Sequence, residues 1–137
     1  MPGTVEKLLD KPIVIVNYHG DITVEDTRAV FAQIAGLVET YGAPLYRITC
    51  IFLSEANTTF DEVMMMTTLS SKGISGSATD PEVFTVLVGD HPMIDLFAAA
   101  MGQEPFGAVD LPIFDTQTEA LDFIDKLIEQ GGPNAHS

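Results

Sequence analysis

The sequence predicts an α/β fold, a largely parallel sheet of four to five strands with about four helices packed on it. Two observations carry that prediction. Apolar runs rich in β-branched residues alternate with stretches of helical periodicity, and turn residues sit at nearly every switch. One strand hands over to one helix throughout, in the order (β)βαβαβαβα, with no internal repeat, which implies parallel strands joined by helical crossovers. At 137 residues and 46% apolar content, the chain suits a single core. Residues 1–130 are expected to form one unit, and 131–137 a frayed tail.

Lys11-Pro12 opens Ile13-Val14-Ile15-Val16-Asn17-Tyr18, apolar on both faces near its start and so a central strand. Residues 5–9 read as a short strand hairpinned onto it through Asp10-Lys11-Pro12, although Pro12 has no amide hydrogen to give. Thr23-Val24-Glu25-Asp26 has the form of a capping box, in which hydroxyl and carboxylate satisfy free amides reciprocally. Val30, Ile34, Leu37, Val38 and Tyr41 follow at helical spacing, and Gly42 and Pro44 stop the helix. Residues 45–53 alternate as a strand, with Tyr46, Ile48 and Cys50 on one face and Arg47 and Thr49 on the other.

Thr59-x-x-Glu62 is a second capping box, starting a helix that carries Phe60, Met64, Met65, Met66 and Leu69 and ends near Lys72-Gly73. Residues 70–79 are small and polar. Asp80-Pro81 precedes a buried strand at 83–88, residues 92–101 form a helix stopped by Gly102, and 109–114 a strand. Thr116-x-x-Glu119 is a third capping box, before Leu121, Ile124, Leu127 and Ile128.

With 20 acidic against 6 basic residues, the net charge near −14 repels phosphate backbones and anionic lipid head groups. Nucleic acid and membrane insertion are therefore not expected. The lone Cys50 excludes an internal disulfide, a Cys-x-x-Cys redox pair and a cysteine-rich zinc site. No start combines a basic stretch with an apolar signal core, and no run has the ~18 apolar residues of a membrane span, so a cytoplasmic location is expected.

In parallel sheets ligands bind beyond the carboxyl ends of the strands. There the sequence offers His19 and Asp21, Thr58 and Thr59, and Asp90 and His91 as a strand-end cleft. The residue before a proline leaves the helical region, so His91 is placed as an N-cap with Pro92 at the first helical position. Asp90 faces the positive end of the helix dipole, and capping explains both without a substrate. His19, His91 and a carboxylate such as Asp21 or Asp90 could bind a metal, but no His-x-x-x-His or His-x-Glu spacing supports it, and none is expected. No cofactor is expected either. The glycine fingerprints of nucleotide sites, the acids and lysine of a phosphorylated receiver and a Gly-x-Ser-x-Gly elbow are all missing.

Three adjacent methionines cannot point the same way round a helix, so the second helix must turn flexible apolar surface away from the sheet. Phe60, Met64, Met65 and Met66, extended by Met93, Phe97 and Met101, are the candidate binding surface.

The strand-Gly-x-Ile-Thr-x-Glu-Asp opening over residues 14–26, the centre at 51–66, the Val88-Gly89-Asp90-His91-Pro92-Met93 turn and Pro112-Ile113-Phe114-Asp115-Thr116-x-x-Glu119-Ala120-Leu121 together resemble the SpoIIAA-like proteins of the STAS superfamily. The resemblance covers nearly the whole chain and rests on order and spacing. It implies a small non-enzymatic module that acts by binding a protein partner. The superfamily's phosphorylated Asp-Ser-Ser-Gly falls on Asp61-Glu62-Val63-Met64, which has no hydroxyl, so that switch does not carry over. The expected function is a non-catalytic regulatory or interaction module, a homodimer joined through the second helix. The alternatives are a carrier or sensor of a small lipid-like ligand beneath residues 58–76, and a histidine- or metal-dependent enzyme using His19 and His91.

Overall fold

The computed structural model describes residues 3–19, 23–52, 60–90, 92–104 and 108–131, without the side chains at 52, 60, 62 and 63. Its elements are β1 (Gly3–Lys7), β2 (Ile13–His19), α1 (Val24–Tyr41), β3 (Leu45–Phe52), α2 (Phe60–Ser70), β4 (Val83–Val88), α3 (Pro92–Met101), β5 (Ile113–Phe114) and α4 (Gln117–Glu129). The five strands form one sheet in sequential order, β1 antiparallel to β2 and the other neighbours parallel.

That order decides where the helices go. Right-handed crossovers between strands added successively at one edge all fall on the same face. The helices α1, α2 and α3 pack there, over Val14, Val16, Tyr18, Leu45 and Leu87. The opposite face of Ile13, Ile15, Tyr46, Ile48, Cys50, Val86 and Val88 is left to α4, which buries Ala120, Ile124 and Leu127 on it. The alternation of β3 separates the two cores, with Tyr46, Ile48 and Cys50 under α4 and Arg47 and Thr49 under the three-helix layer.

The cap of α1 forms in full. Asp26 N–H donates to Thr23 Oγ1 and Thr23 N–H to Asp26 Oδ2, both at 3.1 Å. Gly42, at φ +88°, ends the helix with its N–H on Val38 O at 2.8 Å. At α4 only the cap half of the box forms: Glu119 N–H donates to Thr116 Oγ1 at 3.2 Å, and that hydroxyl donates to Glu119 Oε1 at 3.1 Å. The predicted Thr59 cap lies outside the described residues.

Three boundaries differ from the sequence expectation. The first strand is Gly3–Lys7 rather than 5–9, because pairing opposite Val5 with Val16 leaves Leu9 beyond the ladder, 96% exposed in the turn. The last strand is two residues rather than six. Pro112 cannot donate to the ladder and supplies only its carbonyl, to Leu87 N–H at 2.8 Å, so pairing begins beyond it. The second helix stops at Ser70, before Lys72-Gly73.

Candidate ligand-binding site

Strands covered on both faces favour apolar side chains, yet the inner strands set polar groups beneath the three-helix layer. Arg47 of β3 and Thr85 of β4 are directly paired across the sheet. Arg47 is only 5% exposed. Its Nε–H donates to Thr49 Oγ1 at 2.8 Å and an Nη1 proton to Gly76 O at 2.7 Å, and its guanidinium carbon lies 5.4 Å from the centre of the Phe31 ring. Burial pushes its pKa down from the ordinary arginine value, but a guanidinium stays protonated in a protein. No described carboxylate pairs with this cation; among the described residues Lys11 and Asp125, at 2.9 Å on the surface, form the ion pair.

Tyr18 and Thr85, from the strands flanking β3, add two buried hydroxyls without a hydrogen-bond partner among the described residues. The neighbouring Thr27 hydroxyl donates to Thr23 O at 3.0 Å and does not meet Tyr18 Oη at bonding geometry. Burial raises the Tyr18 pKa, with Arg47 opposing it, so the phenol keeps its proton at neutral pH.

These groups form the floor of a cavity of about 70 Å³ between the sheet and the helices, walled by Phe31 of α1, Met66 of α2 and Met93 and Phe97 of α3. A polar floor carrying one cation and two unused hydroxyls, under apolar walls, suits a small amphipathic molecule.

The predicted site residues divide. Met66, Met93 and Phe97 meet in the cavity, whereas Met64 and Met65 turn outward into a shallow depression with Asp61, Thr68 and Lys72, Met65 being 56% exposed. Met101 is wholly buried in the core and extends no surface. Phe60 opens α2, and its side chain lies outside the description. Of the strand-end cleft, His19 and Asp90 are exposed and do not line the cavity. Asp21, Thr58, Thr59 and His91 lie outside the described residues. Among the described residues no cluster of His, Cys, Asp and Glu is placed to hold a metal ion, and no helix is long and apolar enough to cross a membrane.

An uncharacterised protein of the DUF3478 family from Shewanella loihica, whose crystal structure has a SpoIIAA-like fold, aligns with 88% of this chain and 90% of its own, with a TM-score of 0.55 at 13% identity. The fold is SpoIIAA-like. At that identity the likeness is one of fold. No protein-family model matches the sequence, and no curated protein matches it.

Within this SpoIIAA-like sheet, sequence reasoning missed Tyr18, Arg47 and Thr85. A signal existed for one of them: an arginine inside an otherwise apolar strand must lie under whatever covers that face. Their assembly depends on strand register, which the sequence does not print.

Cys50 belongs to the other face. It is fully buried, its Sγ 3.7 Å from Gln117 Oε1, and burial pushes the thiol pKa up to about 11 from the ordinary 9.0. A raised acid contributes stability that is intact below the unfolded pKa and lost as pH climbs through the folded one. At roughly 1.4 kcal/mol per unit, about 2 kcal/mol should disappear between pH 9 and 11. Urea unfolding at both pH values should show this loss in the wild type and a smaller one in Cys50→Ala.

Proposed function

We propose that this chain is a non-catalytic ligand-binding module whose small lipid-like ligand lies beneath α2 and α3. The observation that carries the reading is the cavity floored by Tyr18, Arg47 and Thr85 and walled by Met66, Met93 and Phe97. Residues with ready chemistry are not gathered there, and Cys50, the one thiol, sits across the sheet. The second helix has no hydroxyl at Asp61-Glu62-Val63-Met64, so this reading does not depend on phosphorylation there. The unit spans residues 1–130, works in the cytoplasm and needs no cofactor.

The test is a titration with 1-octanol, an uncharged probe, followed by NMR of methyl-labelled methionines. The Met66 and Met93 methyls should shift saturably and that of Met65 should stay. Shifts absent at Met66 and Met93 would remove the reading.

A second reading, association through α2, is favoured by the exposure of Met65 beside half-buried Met64. In this reading the chain is a homodimer, and Met65→Glu makes it a monomer by size-exclusion with light scattering. A monomer in both counts against it.

A further inference from the structure

We infer that the ligand is an amphipathic monocarboxylate, its carboxylate held by Arg47, Tyr18 Oη and Thr85 Oγ1 and its chain running between α2 and α3. The inference rests on the proposed ligand-binding role and adds the charge and class of the ligand.

Three features of the floor require an acceptor. A buried cation is costly unless it is paired, and no described carboxylate pairs with Arg47. Tyr18 and Thr85, 4% and 5% exposed, each bury a hydroxyl that donates to no described residue. A carboxylate is acceptor-only, takes several donors at once and brings the single negative charge that one guanidinium balances. A phosphate dianion would leave a charge unbalanced, and the protein's own net charge of −14 opposes it further.

Size and lining set the rest of the molecule. A cavity of about 70 Å³ takes several water-sized spheres of roughly 10–15 Å³ each, enough for a head group and a few methylenes. Beyond these the chain meets Met66 and Met93, unbranched side chains that re-pack readily around an alkyl tail.

Octanoate and 1-octanol separate the contribution of the charge from that of the apolar chain. Titration calorimetry of the full chain should show octanoate binding at least tenfold more tightly than octanol, with the same Met66 and Met93 methyls shifting. Arg47→Met should abolish that preference, and Thr85→Val should weaken octanoate about tenfold and octanol by less, since hydrogen bonds to charged groups carry factors of that size and those to neutral groups smaller ones. If Arg47→Met does not fold, the double variant Tyr18→Phe/Thr85→Val decides: an undiminished preference overturns the inference. Equal binding of octanoate and octanol by the wild type also overturns it and leaves the apolar cavity reading standing. Failure of both probes to bind removes both. Octanoate binding that leaves the Met66 and Met93 methyls unmoved places the ligand elsewhere and ends the inference.

Discussion

Gly76→Ala should lower the unfolding free energy by about 3–5 kcal/mol, a large share of the stability of a domain this size. Gly76 sits at φ +87°, where an L side chain costs roughly 1–2 kcal/mol by itself. A Cβ there would lie 2.1 Å from Phe31 O and 2.9 Å from Phe31 C, and because these are backbone atoms of α1 no side chain can swing clear. The loop must then move off the helix. It cannot do so cheaply, because Gly76 N–H donates to Asp80 Oδ2 at 2.7 Å while Gly76 O accepts from Arg47 at 2.7 Å. Gly73→Ala is the control: its φ of +68° carries the same conformational cost, but nothing lies within 4 Å of the added carbon, so about 1 kcal/mol is expected. Urea denaturation of the two variants separates close approach from backbone preference. A Gly76→Ala cost equal to that of Gly73→Ala would mean that the 70–80 loop does not pack on α1 as described.

The contrast between these glycines bears on how far the sequence could be read. The element order was legible because apolar runs and caps are local signals, and Thr23 with Asp26 formed the box that its spacing predicts. Edge strands were less legible. Leu9 looks like strand and is solvent-exposed, and residues 109–112 look like strand but pair too little, because edge pairing depends on where the neighbouring strand ends rather than on apolar pattern. The cavity was the least legible. It draws Tyr18, Arg47 and Thr85 from three strands and Phe31, Met66 and Met93 from three helices, and no sequence interval records that β2, β3 and β4 lie side by side in matching register. The methionine helix was legible in composition and not in orientation: Met66 faces the cavity while Met65 faces solvent.

The unequal cover of the sheet leads to the other large effect. Ile124→Ala should cost about 3 kcal/mol, within the usual range for truncating a buried isoleucine. Ile124 is fully buried and central among the three residues by which α4, among the described residues the one helix on its face, docks on the sheet. Rings of Tyr46, Phe84, Phe114 and Phe123 gather on the same side, with neighbouring centroids 6.0, 6.5 and 5.2 Å apart, and rings held by one another have little freedom to collapse into the space left behind. Octanoate affinity of the folded variant should nevertheless stay within about twofold of wild type, because the cavity opens on the opposite face and sites without shared partners add independently. Thermal or urea unfolding gives the first quantity and calorimetry well below the transition the second. A larger loss of affinity would show the faces to be coupled through the inner strands, since Ile48 under α4 and Arg47 under the cavity are adjacent in β3, as are Val86 and Thr85 in β4.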